Sequence, residues 1–463
     1  MSHSKKYNRS SGKKRNRPRR KRHFPQAIPA RSAHDGQQCL FNDMDFKPLI
    51  VPRPKHCISR KNIDREALKV LYRLKDHGFL AYLVGGSVRD LLLGKAPKDF
   101  DIGTNATPEE IRRLFRYSRI IGKRFRLVHV YFKGGKIIEV STFRKQIELD
   151  DREAAREGLG SESIFGSPRE DAFRRDLTIN GLFYNIADFS IIDYVDGIGD
   201  LERRIIRTIG DPERRFIRDP VRMLRTTRHA ARTGFSIHHT TWDAVCRHAS
   251  KIRLCVTARV RDEWLKDMKS GVSADWSRLM IESGLFQEIF PALQGMLSGP
   301  DAPKLRDMLF KVLNRVDYMV KKGRDMSDAF FLSALAIPFL HFMPDWHALK
   351  SEKVRWPTCE VRALLDSMFM PYDFRRADRD LMARLISTYW PLEFCARRNQ
   401  WQKRVYSKAT FPEALELYNC IKRALGQDVI ALDKNKMPGK KKSKGRRRRK
   451  GRKKNGSRSG RNS

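Results

Sequence analysis

Residues 79–101 constrain this chain most. Phe79 to Val84 is an apolar run that predicts a buried strand. It empties into Gly85-Gly86, and Ser87-Val88-Arg89-Asp90 then reads as a helix start with Arg89 one turn in. The chain returns with Asp99 and Asp101. Residues two apart on a strand point to one face, so this pair is expected on a single strand, side by side. Phe100 and Ile102 flank it and predict packing on the other face. Two carboxylates in that setting call for a compensating cation. Divalent metal beside a glycine turn, with Ser87 and Arg89 available for anions, is a pattern suited to handling phosphates.

The surrounding sequence predicts a mixed head. Ile63 to His77 has helical spacing through Leu68, Leu71 and Leu74. Thr107-Pro108-Glu109-Glu110 carries an N-cap, a proline at the first helical position and a capping glutamate, predicting a helix to Arg116. Leu127–Phe132 and Ile137–Thr142 read as strands of a hairpin turned by Lys133-Gly134-Gly135-Lys136. Within the second strand Glu139 sits among apolar residues. It is either a third acid at the metal site or half of a salt bridge, with Arg144 as candidate partner. Residues 150–170 are polar and glycine-rich and predict a mobile loop; Ile191 to Val195 predicts one more strand.

From Asp211-Pro212 onward the apolar residues recur at helical spacing, as in Leu305, Leu309, Val312 and Val316 or Leu381, Leu385 and Tyr389. Two constellations stand out. Arg174-Arg175-Asp176 is either a charged helix start or a set of anion-binding arginines beside an acid. Asp219-Pro220 reads as N-cap and first helical residue, and Arg222, Arg225 and Arg228 follow every three residues along one flank. That ladder either is solvated or meets an anion.

The formal charge is +43, and most of it lies at the ends: residues 1–34 hold 12 Lys/Arg and no acid, residues 434–463 hold 16 and no acid. Such tails are expected to be disordered and to bind polyanions; a targeting or solubilising tail is the alternative. The seven cysteines are scattered without a C-x-x-C pair, which fits a reducing, cytoplasmic setting and argues against a disulfide framework. No apolar stretch is long enough for a transmembrane segment.

Taken together, these motifs resemble those of the class II nucleotidyltransferases, which comprise tRNA CCA-adding enzymes and bacterial poly(A) polymerases. Val84 to Asp90 resembles the family's phosphate-binding turn, Asp99 and Asp101 its metal-binding pair, Arg174-Arg175-Asp176 its Arg-Arg-Asp element, and Asp219 with Arg222 its base-reading motif. Ile120 to Val130 resembles the stretch that marks bacterial poly(A) polymerases. In one departure, Arg218 stands where the family has Glu. The resemblance implies an α+β fold: a polymerase-beta-like α/β head (51–207) behind a disordered basic tail (1–50), then a helical neck for base selection (208–270), a helical RNA-binding body (271–430) and a second basic tail (431–463). It implies Mg²⁺ held by Asp99, Asp101 and Glu139, with Asp176 counted in the catalytic set. It further implies nucleotide contacts from Gly85, Gly86, Ser87, Arg89, Arg144, Asn180, Asp219, Arg222, Arg225 and Arg228. The implied activity is addition of AMP from ATP to RNA 3′ ends, with RNA-processing proteins as candidate partners. CCA or A addition to tRNA is the first alternative, and a non-catalytic RNA-binding protein the second.

Overall fold

The computed structural model describes residues 47–122, 126–145, 165–343, 357–398, 401 and 403–431. Both tails, and most of the 150–170 segment, lie outside the described residues.

The head is an eight-stranded mixed sheet backed by helices. Its strands are β1 (Leu49–Val51), β2 (Ala81–Val84), β3 (Asp101–Thr104), β4 (Ser118–Ile121), β5 (Leu127–Tyr131), β6 (Ile137–Thr142), β7 (Leu182–Asn185) and β8 (Ile191–Asp193). They lie in the order β1-β8-β7-β2-β3-β6-β5-β4. β3 runs antiparallel to β2 and parallel to β6, so the acidic strand is central. Helix α1 (Arg65–Asp76) starts where the Asp64 carboxylate accepts from the N–H groups of Glu66 and Ala67, and it buries Ala67, Val70, Leu71 and Leu74 against the sheet. Helix α2 (Gly86–Leu92) follows the glycine turn, and α3 (Pro108–Leu114) opens on the expected capping box between Thr107 and Glu110, ending two residues before Arg116. The 127–142 hairpin is present, with Gly134 and Gly135 at φ +79° and +78°.

Two strand expectations need correction. β3 begins at Asp101, so Asp99 lies in the approach to the strand and not on it. The ladder with β2 ends at the Val84–Asp101 pair, because the chain turns away at Gly85 and leaves Asp99 no partner there. Glu139 is not buried: β6 alternates, with Ile138, Val140 and Thr142 inward and Ile137, Glu139 and Ser141 on the open face.

Helix α4 (Pro168–Arg174) precedes β7; α5 (Gly197–Arg203) and the short β9 (Ile205–Ile206) close the head. From there the chain is helical: α6 (Pro212–Arg218), α7 (Val221–Thr233), β10 (Ser236–Ile237, paired with β9), α8 (His239–His248), α9 (Thr257–Met268), α10 (Ser273–Glu282), α11 (Leu285–Ile289), α12 (Gln294–Ser298), α13 (Ala302–Lys321), α14 (Asp328–His341), α15 (Thr358–Met368), α16 (Arg376–Arg398), α17 (Lys403–Tyr406) and α18 (Phe411–Ala424). Asp211 caps α6 as expected. Asp219 does not cap α7: it closes α6, and Pro220, in helical geometry, takes the cap position without a side-chain bond. One apolar cluster runs from Phe216 to Ile430, with Trp264, Trp276, Phe286, Phe290, Phe330 and Phe339 fully buried. Each such aromatic contributes about 1.5–3 kcal/mol of burial to this core, which also takes in Val221, Met223 and Leu224 of α7 and Val260 and Met268 of α9.

Candidate active site

The site begins at the end of β2. Gly85 has φ +71° and ψ −133°, a conformation L side chains rarely adopt, and a Cβ there would lie 3.0 Å from the Arg175 Nη1. The register Val84–Asp101 and Asp101–Glu139 sets the glycine turn, Asp101 and Glu139 side by side over three strands. A cleft of about 250 Å³ opens there, lined by Val84, Asp101, Glu139, Ser141, Arg144, Arg174 and Arg175. Burial pushes the Asp101 carboxyl up to about 6, Glu139 and Asp99 add to the rise, and Arg175 opposes it. Asp99 therefore acts on Asp101 electrostatically although it lies outside the strand. The Glu139 carboxylate lies 3.3 Å from Nε2 of His129 on β5, a different neighbour from the Arg144 suggested by sequence.

Among the described residues, no three His, Cys, Asp or Glu side chains form a closed metal cage. Mg²⁺ is held by one or two carboxylates together with substrate phosphates and water, a donor set that Asp101 can open. Asp101, desolvated and repelled by two other acids, is the kind of donor such a cation would relieve.

The arginines of the cleft are held from behind by Asp171 of α4. Arg174 and Arg175 reach it at 2.6 and 2.8 Å, and the Arg144 N–H donates to it at 3.2 Å. Burial pushes the Asp171 carboxyl up, but Arg175 and Arg174 outweigh it and hold it below the ordinary range. The Arg144 guanidinium, lowered by burial and by Arg174, donates to the Arg126 carbonyl at 2.9 Å. The sequence reading missed Asp171. Its signal was available: an acid three and four residues before Arg174 and Arg175 on one helix.

Other expected phosphate ligands are committed elsewhere. The Ser87 hydroxyl donates to the Val84 carbonyl at 3.0 Å. Arg89 is buried; it pairs with Asp90 at 2.8 Å, donates to Asn180 Oδ1 at 2.6 Å and lies 3.3 Å from His229 Nδ1. Asn180 is buried in the same network. These three are joined to the turn and to α7 by these bonds. Asp176 lies beside Arg225, 3.7 Å from its guanidinium. Burial raises the Asp176 carboxyl, and the Arg225 and Arg222 guanidiniums, with the bond from Asn180, more than reverse this and hold it below the ordinary range. Burial, then Arg89, pushes the His229 imidazole down to about 3, so it is neutral. His229 was also missed; it lies seven residues past Arg222, on the same face of α7.

The arginine ladder meets acids along its whole length. Arg222 donates to the carbonyls of Arg174 and Arg175, each at 3.2 Å, and lies 3.6 Å from Asp219. Asp219 in turn is paired with Arg259 of α9 at 2.9 Å. Arg225 bridges Asp176 at 3.7 Å and Glu263 at 3.2 Å. Arg228 is largely buried and pairs with Glu263 at 2.6 Å and with Asp267, contacts that tie α7 to α9.

Comparison with known proteins agrees with this layout. Residues 81–207 match the poly A polymerase head domain, and residues 234–297 match the probable RNA and SrmB-binding site of polymerase A. Poly(A) polymerase I of Escherichia coli O6:H1 is 45% identical over 292 residues, covering 62% of this chain and 63% of the relative. The CCA-adding enzyme of Bacillus licheniformis is 37% identical over 230 residues, covering 50% of this chain and 56% of the relative. The chain thus spans less than two thirds of the length of the curated relatives it matches. Among solved structures, the Thermotoga maritima CCA-adding enzyme complexed with tRNA-CCA shares the fold, with a TM-score of 0.54 at 19% identity over 81% of this chain and 85% of that one. Across residues 81–297 the chain thus carries a poly A polymerase head-domain match and the RNA-binding match that follows it, and it is similar to both poly(A) polymerases and CCA-adding enzymes.

Proposed function

We propose that this protein transfers AMP from ATP to RNA 3′ ends without a template, releasing pyrophosphate. The observation that carries the reading is the alignment of the Gly85 turn, Asp101 and Glu139 over adjacent strands, facing Arg174 and Arg175. Mg²⁺ held by Asp99 and Asp101, with Glu139 beside them, would supply charge neutralisation and acidify the attacking 3′-hydroxyl. The chain's own groups do the rest. The open backbone at Gly85 admits the triphosphate close to β2. Arg174 and Arg175, fixed by Asp171, face the charge that builds on the phosphates as the 3′-oxygen bonds to the α-phosphorus and pyrophosphate departs. Asp176 steadies Arg225, and Asp219 with Arg222 presents one acceptor and one donor edge to adenine. With Arg218 in place of a glutamate, the carboxylates that orient these arginines come from Asp176, Asp219 and Glu263.

The 45% identity to a poly(A) polymerase I supports the long-tail product; the CCA-adding relatives favour a second reading, repair of tRNA ends. Asp101→Ala tests the chemistry. It is expected to abolish AMP incorporation while RNA affinity stays within about twofold; equal loss of both would contradict the assignment.

A further inference from the structure

Between α13 and α18, in the body and outside the matched RNA-binding segment, lies a cavity of about 750 Å³. That is the size of sites that enclose nucleotide-sized ligands. Its wall presents Arg315, Lys322, Arg324 and Arg423 against a single carboxylate, Glu416. Among the described residues none of these four cations has an ion-pair partner. Their neighbours differ: Lys422 and Arg397 are both committed to Glu393. The Nε of Arg315 is buried with no hydrogen-bond partner. Between them Tyr318 is 48% exposed, with the Arg315 guanidinium 4.6 Å and the Lys322 ammonium 5.6 Å from its ring centre. Four converging cations facing a single carboxylate fit an added anion, and an exposed ring among them fits a base. An acidic peptide would use the cations and leave the ring without a role.

We propose that this cavity holds one nucleotide of single-stranded RNA, its phosphodiester facing Arg315, Lys322, Arg324 and Arg423 and its base packed on Tyr318. The contact reads no sequence; it holds the strand behind its 3′ end. The inference rests on the RNA-extending reading above, and the test separates the two. Fluorescence anisotropy would follow a labelled single-stranded oligonucleotide over a salt series with the full chain, Tyr318→Ala and the double variant Lys322→Ala/Arg324→Ala. All three side chains are exposed, so the fold should persist, checked by unchanged thermal melting. The double variant should lower the salt slope by up to about 0.7, the value for one phosphate neutralised on a single strand. Tyr318→Ala should weaken binding about fivefold or more, and should make no difference with an abasic oligonucleotide. AMP addition at saturating primer should be unchanged. Variants that bind RNA like the parent overturn the cavity assignment alone, as does selective loss of binding to polyglutamate. A parent chain that neither binds nor extends RNA overturns both readings.

Discussion

The carboxyl of Asp101 titrates near pH 6 in the metal-free protein, and this sets how the site should respond to acid. A divalent cation takes the ionised carboxylate only. With a pKa of about 6, roughly ten in eleven carboxyls are ionised at pH 7 and about one in eleven at pH 5. Apparent Mg²⁺ affinity should therefore fall about tenfold between those values, with about half a proton released per cation bound at pH 6. The same rise has the opposite sign for stability. The unfolded carboxyl ionises near 3.8, so the folded state loses stability between about pH 4 and pH 6 and is level above. At full burial the rise would correspond to about 3 kcal/mol; the exposed position of the residue screens it to about 1 kcal/mol. Asp101→Asn should accordingly stabilise the metal-free protein by about 1 kcal/mol at pH 7.5 and change nothing at pH 3.5. Isothermal titration with Mg²⁺ in two buffers of different ionisation enthalpy reads the affinity and the protons together, and thermal melting reads the stability. Affinity that is flat from pH 5 to 7, or proton release that persists in Asp101→Asn, would refute the reasoning.

Three further substitutions probe the surroundings. Arg228→Ala leaves Glu263 and Asp267 without their main cation and should cost about 3–5 kcal/mol in urea unfolding, more than Arg228→Ala together with Asp267→Asn. Asp171→Asn frees Arg174 and Arg175; losing two charge-assisted bonds of about 1.5–3 kcal/mol each should raise the KM for ATP at least tenfold in a steady-state assay. Gly85→Ala forces a Cβ onto Arg175 at a φ of +71°, with an expected cost of about 1–3 kcal/mol and a loss of AMP incorporation exceeding the loss of RNA affinity.

The parts of the site that neighbours in sequence determine were legible from sequence. The Gly85 turn, the Thr107–Glu110 cap and the 127–142 hairpin each depend on local backbone chemistry, and each stands where the residues predicted. What the sequence could not show are distant partners. Arg89 has Asp90 beside it in sequence, but Asn180 and His229, which complete its contacts, are 91 and 140 residues away. The Arg222–Arg228 ladder looked free for an anion because Glu263 and Asp267 are on another helix. Glu139 looked buried because Ile137 and Val140 flank it, yet Ile137 is 43% exposed and the strand has one open face. Asp99 looked like a strand residue because spacing alone cannot say where a ladder stops; the turn at Gly85 decides that.

The most direct test supplies a short RNA primer, Mg²⁺ and one nucleotide at a time, with a tRNA lacking its 3′ end run in parallel. The account predicts long tails from ATP alone on the primer, none with Asp101→Ala, and little extension from CTP. Extension of the truncated tRNA that needs CTP and ATP and stops after CCA, with the primer left unextended, would contradict it.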